Sequence, residues 1–191
     1  PFSERDVPAP EDAYGRSKRD AEDALQKIAA TTKMAVTTLR MPLVYGPAVR
    51  ANFAALMRLC DTALPLPLDG ITRNQRSLLY LGNLTHALET IVMSHNDISG
   101  TYLLSDGEDL STAELVSYLR NSLNRYPLRL PVPASVIKMI ASLAGKQDAA
   151  RRLCGSLHVD STEFRQAFSW VPPFSVAQGI AATTAAHRAT R

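Results

Sequence analysis

The 191 residues are enough for one good-sized domain or two small ones, and for a real buried core. With 46% hydrophobic and 20% charged residues, the composition is that of an ordinary globular protein. A formal net charge of +3, carried by scattered rather than clustered lysines and arginines, excludes a nucleic-acid or polybasic membrane surface and suits an anionic small molecule.

The chain opens on an acidic, proline-bearing stretch and enters a segment, residues 15–33, that no proline interrupts and that reads as helix. Ala21, Leu25 and Ile28 fall on one side of it, with Glu11, Arg19, Asp20 and Lys27 among the polar remainder. Tyr14 and Lys18 stand four apart, so a phenol and an ammonium project from one face. A cation beside a phenol favours the phenolate, which lets a tyrosine of ordinary pKa about 10 trade protons nearer neutral pH. A surface Tyr and Lys one turn apart is the plainer alternative.

Residues 35–41 read as a buried strand stopped by Pro42, and residues 43–47 as its exit into a loop, with Arg40 a structural arginine at the strand end. A helix begins at Asn52 and Phe53 and runs through Leu56, Leu59 and Cys60; Asn52 suits an N-cap or a ligand contact equally. Alternating Leu and Pro in residues 64–68 forbids helix and predicts an extended edge segment. A strand near Arg76 leads to a helix over 83–95, with Leu84, Leu88, Ile91 and Val92 at core spacing and His86 and His95 on its surface, where no partner pattern makes them ligands or bases. Residues 100–105 read as the last parallel strand, and Asp106-Gly107 as a turn.

Ser111-Thr-Ala-Glu114 is a capping box that opens a helix through Leu115, Leu119 and Leu123. An edge strand at 128–132, an apolar helix at 133–144 assigned to core packing ahead of a membrane or partner-binding role, and a short helix at 148–153 follow. Asp160 caps the next helix, Trp170 anchors packing, and an Ala-rich helix at 174–187 ends the chain. The longest apolar run, residues 132–145, is interrupted by Lys138 and too short to cross a bilayer. Cys60 and Cys154 are solitary, without metal-ligand spacing, as expected of reduced thiols in a cytoplasmic protein, with a disulfide between them the unsupported alternative.

Four blocks in order carry a resemblance: Tyr14-Gly-Arg-Ser-Lys18 with Ala21, Glu22 and Leu25; Leu39-Arg-Met-Pro-Leu-Val-Tyr-Gly-Pro47; Arg76 to Asn83-Leu84; and Asp160 through Trp170-Val-Pro-Pro173. Together they resemble the extended short-chain dehydrogenases/reductases, and among these the NAD-dependent nucleotide-sugar epimerases and dehydratases. The resemblance implies an α/β fold. Residues 1–50 and 76–106 would belong to a Rossmann-like dinucleotide-binding domain, and residues 51–75 and 107–191 to a small substrate-binding domain. It implies Tyr14 as acid/base on a sugar hydroxyl, and Lys18 as the group that holds the nicotinamide ribose of NAD and lowers the tyrosine pKa. Met41, Pro42, Leu43 and Val44 would meet the carboxamide end of the cofactor, with Leu43 standing where many epimerases carry Asn. Asn52, Phe53, Pro67 and Leu68 would line the nucleotide, and Arg76 and Arg152 the diphosphate. The implied reaction interconverts C4 epimers of a UDP-hexose through a 4-keto intermediate. A 4-keto reductase, a dehydratase and a non-catalytic NAD(P)-sensing relative stay open.

None of the nine glycines forms the glycine-rich phosphate loop with which that family begins. The chain is therefore expected to be the C-terminal portion of a longer protein, binding NAD poorly and lacking turnover by itself. Its first helix is expected to expose an apolar stripe. In complete members that helix commonly helps build a homodimer.

Overall fold

Local chemistry divides the sheet. The computed structural model describes residues 1–94, 98–126 and 130–189. Pro42 has no N–H to give a ladder, so the expected single strand with its exit becomes two strands that change partners across that residue. Strand β1 (Thr37–Arg40) pairs in parallel with β4 (Gly100–Leu103), Thr37 opposite Gly100. Strand β2 (Leu43–Tyr45) pairs in parallel with β3 (Leu78–Tyr80), Leu43 opposite Leu78.

The helices are α1 (Ala13–Thr31), α2 (Ala51–Cys60), α3 (Leu81–Met93), α4 (Thr112–Ser122), α5 (Ala134–Leu143), α6 (Gln147–Cys154), α7 (Thr162–Phe168) and α8 (Val176–Ala189). Helix α1 buries none of its residues fully, and Ala21, Leu25 and Ile28 are exposed, as the apolar stripe required. The capping box of α4 forms as expected: Ser111 Oγ accepts the Glu114 N–H at 3.2 Å, and Glu114 Oε2 accepts the Ser111 N–H at 2.7 Å.

Several expectations need correction. Arg50, not Asn52, occupies the N-cap of α2, which leaves Asn52 within the first turn. Residues 67–70 are a turn rather than an extended edge, with Leu66 and Leu68 turned into the core and Pro67 outward. Helix α3 directs Asn83 and Ala87 inward, because Asn83 is drawn into a polar network; Leu88 and Val92 consequently face outward, Val92 at 80% exposure. The expected end of that helix at His95 lies outside the described residues. So does part of the expected 128–132 strand, whose remaining residues 130–132 are not strand.

Helix α5 is not a core helix. Ala134 and Ile137 reach the core, but Met139, Ile140 and Leu143 are exposed, because the helix is apolar on more than the one side that the core can cover. Ser161 is the N-cap of α7, and Asp160 acts one residue earlier, its Oδ1 accepting the Thr162 N–H at 3.0 Å. Those bonds hold the Asp160 carboxyl below the usual aspartate range.

Two apolar clusters fill the interior. The larger gathers Tyr45, Phe53, Met57, Leu78, Leu115, Leu119, Val176 and Ile180; the smaller gathers Leu79, Ala87, Leu104, Phe164, Phe168 and Trp170. Cys60 lies in the first, and burial pushes its thiol up to about 12.

A buried carboxylate lies against both. Asp106, read from sequence as a turn residue, accepts hydrogen bonds from the Tyr80 N–H at 2.9 Å, Asn83 Nδ2 at 2.7 Å and the Tyr45 hydroxyl at 3.1 Å. Burial raises its pKa, and the three donors act against that rise. Asp106→Ala strands buried donors at roughly 1–3 kcal/mol each, partly offset by removal of a buried charge, so a loss of about 2–4 kcal/mol is expected in urea unfolding. A native pKa above the unfolded one also means that the ionised group opposes folding as pH climbs from about 4 through the native value. That pH dependence is expected to vanish in Asp106→Asn.

Candidate active site

The start of α1 is fixed by short-range bonding. Asp12 Oδ1 accepts the Gly15 N–H at 2.7 Å, a side-chain N-cap. The lead-in loop closes on the same turn, where a Cβ on Gly15 would lie 3.0 Å from the Pro10 Cβ. Tyr14 projects from this anchored turn at 71% exposure, and the Lys18 ammonium sits 5.3 Å from the centre of its ring. The phenol is open to a ligand while a cation rides beside it. Tyr45 has the opposite surroundings: burial, with the Asp106 carboxylate beside it, pushes its phenol far above the usual tyrosine range.

Beyond β1, Met41 is exposed, Pro42 is buried, and Leu43 and Val44 are half-buried, packed against the larger and smaller clusters respectively. Asn52 is exposed on α2. Phe53 turns inward and stacks on Tyr45 with ring centres 5.3 Å apart. Leu68 is likewise a core residue, whereas Pro67 is exposed.

Arg76 and Arg152 come together. The Arg76 main chain bridges to Leu110 and to Leu157, and its Nη1 donates to the Arg152 carbonyl in the last turn of α6. Burial draws the Arg76 guanidinium below its ordinary pKa. The Arg152 side chain remains exposed. One residue earlier, Arg151 meets Asp148 at 2.8 Å and Glu11 at 3.7 Å. These exposed pairs add little stability, but they record that the lead-in to α1 lies beside α6. A cavity of about 310 Å³, lined by Lys138, Gln147, Ala150, Arg151 and Gly155, opens at this junction. Two cationic side chains, Lys138 and Arg151, thus border a recess between α5 and α6.

The comparisons with known proteins agree with these blocks. The family model described as the NAD dependent epimerase/dehydratase family matches residues 1–103. The chain belongs to that family. It is 41% identical over 186 residues to a UDP-glucose 4-epimerase of Vibrio cholerae, an alignment covering 97% of this chain and 57% of that protein. Among solved structures it resembles the UDP-N-acetylglucosamine 4-epimerase of Bacillus cereus at a TM-score of 0.76 and 19% identity, over 100% of this chain and 60% of the other. It also resembles the UDP-glucuronic acid 4-epimerase of Bacillus cereus in complex with NAD at a TM-score of 0.73 and 18% identity, over 97% and 54%. The fold is therefore the Rossmann-like α/β fold of these enzymes, and the chain spans little more than half the length of its relatives.

Sequence reasoning passed over several side chains. Lys138 and Arg151 carried no motif. Asn74 is buried, accepting the Thr112 N–H at 3.0 Å and donating to Thr112 Oγ1 at 2.9 Å and to the Gly155 carbonyl at 3.1 Å, which fixes the end of α6. His86, a surface residue as expected, accepts the Trp170 indole N–H at 2.9 Å through Nδ1.

Because Arg76 holds the last turn of α6, Arg76→Ala is expected to loosen Gln147–Cys154. Amide exchange there should accelerate at least about tenfold, the equivalent of roughly 1.4 kcal/mol, while exchange in α4 stays slow.

Proposed function

We propose that the protein containing this chain is an NAD-dependent nucleotide-sugar epimerase that interconverts C4 epimers of a UDP-hexose through a 4-keto intermediate. The observation that carries this reading is the exposed Tyr14 phenol with the Lys18 ammonium 5.3 Å from its ring centre. NAD, when bound, supplies the acceptor and donor of hydride. Tyr14 takes the proton of the sugar C4 hydroxyl and returns it, and Lys18 holds the nicotinamide ribose. Main-chain groups of Met41, Pro42, Leu43 and Val44 face the carboxamide end.

Arg76 and Arg152 take the diphosphate, a role that planar guanidinium groups suit. The bond from Arg76 Nη1 to the Arg152 carbonyl, which brings the two residues together, supports the assignment. Asn52 and Pro67 offer exposed contacts to the nucleotide. Phe53 and Leu68 are buried, so their part is to shape the wall behind those contacts.

In this reading residues 1–50 and 76–106 serve the cofactor, and residues 51–75 and 107–191 serve the sugar nucleotide. We place the protein in the cytoplasm as a homodimer. The dimer is supported by the exposed Leu25 and Ile28 of α1; none of the described helices is long and apolar enough to cross a membrane.

In the full-length protein, Tyr14→Phe is expected to cut kcat for UDP-hexose epimerisation by about 10²–10⁴ while leaving the circular dichroism spectrum and melting curve unchanged, since the ring is exposed. Undiminished turnover would exclude the reading. The 191-residue chain alone is expected to bind NAD more weakly than micromolar in calorimetry, because no glycine-rich phosphate turn lies within it.

A further inference from the structure

We propose that Arg40 and Glu22 together act as positioning residues for Tyr14 and Lys18, an inference that rests on the acid/base role given to Tyr14 above. Helix α1 carries both reacting-site groups yet has no fully buried residue, so the described apolar core does little to set its rotation or its height against the sheet. An ion pair does this instead. Arg40 Nη2 lies 2.6 Å from Glu22 Oε2, and Arg40 Nε lies 3.2 Å from Oε2 and 3.3 Å from Oε1. The guanidinium fork meets both carboxylate oxygens, which fixes direction as well as distance. Both side chains are largely shielded, at 24% and 17% exposure, so water competes weakly for the pair. Arg19 approaches the same carboxylate at 3.8 Å but is itself engaged with Asp23 at 3.0 Å.

The spacing gives the pair its consequence. Tyr14, Lys18 and Glu22 occupy positions i, i+4 and i+8 and share one face of α1. Arg40 is the last residue of β1 and immediately precedes the Met41–Val44 exit assigned to the cofactor. One two-point bond therefore joins the helix face that bears the acid/base to the strand end that faces the hydride carrier. Slipping α1 by one turn would move Tyr14 about 5.4 Å, and turning it by one residue would swing the phenol through about 100°. Either motion breaks the fork. A misplacement of about 1 Å can cost about 100-fold in rate.

The test is made in the full-length enzyme. Arg40→Gln and Glu22→Gln are each expected to lower kcat about 10–100-fold, with KM for the sugar nucleotide held within about threefold. The double variant should be no slower than either single one, because both remove the same bond. The charge-swapped Arg40→Glu/Glu22→Arg protein should regain part of the lost kcat, a rescue that general destabilisation would not give. Should Arg40→Gln fail to fold, Glu22→Gln on the outer helix carries the same measurement. Wild-type kcat in a folded single variant, or losses that multiply in the double, would overturn the inference. Tyr14→Phe is run beside them. If it keeps turnover, the acid/base reading falls and the positioning role with it; if it is inactive while Arg40→Gln is fully active, only the positioning role falls.

Discussion

The fold is organised around one buried carboxyl group. Asp106 sits just after β4 and draws donors from three places: the Tyr45 hydroxyl on β2, the Tyr80 N–H at the β3–α3 junction and the Asn83 amide on α3. Desolvation alone would make the site costly, and the convergence of donors makes it tolerable. Asn83 passes the bonding onward, donating to the Phe174 carbonyl at 2.9 Å and accepting its N–H at 3.0 Å. The late segment of the chain is thereby fixed to α3. Gly179 completes the arrangement, because a Cβ there would come 2.6 Å from the Tyr45 hydroxyl oxygen and 2.8 Å from the Tyr80 ring. Helix α8 can lie this close only without a side chain at that position.

Against that interior, the candidate active site is held by different means. Tyr45 and Tyr14 are chemically identical. One is enclosed and bonded to a carboxylate, so it stays a neutral structural phenol; the other stands in solvent beside an ammonium. The helix that carries Tyr14 is tied to the sheet by charge rather than by apolar burial. Precision at the surface of this molecule comes from directional bonds, and cohesion in its centre comes from packed side chains.

How much of this was legible follows from what periodicity and motif can carry. The 3.6-residue pattern places α1 and α4, and the Ser111–Glu114 spacing names a cap that indeed forms. The four motif blocks identify the family, yet a motif lists residues without saying which of them touch, so the Arg76 bond to the Arg152 carbonyl came only with coordinates. Asp106-Gly107 has the composition of a turn, and nothing in two adjacent letters shows that the carboxylate points inward. Asn83 misled for a related reason: a polar residue was assigned to the helix start, and its burial rotated α3 away from the orientation that its leucines suggested. Helix α5 shows the converse failure. Apolar content was taken as a measure of burial, although the core covers only part of that helix.

The strands of this molecule find their partners far along the chain. Thr37 waits for Gly100, Leu43 for Leu78, and Phe2, whose N–H bonds the His158 carbonyl at 2.6 Å, for the segment at Val159. Closing such loops costs entropy before any contact repays it, so assembly is governed by the slow long-range steps rather than by the quick local helices. During synthesis Phe2 and its neighbours must remain unpaired until the segment at Val159, well over a hundred residues further on, has emerged. Their exposed backbone during that interval is the stage at which a nascent molecule of this design most needs protection from its neighbours.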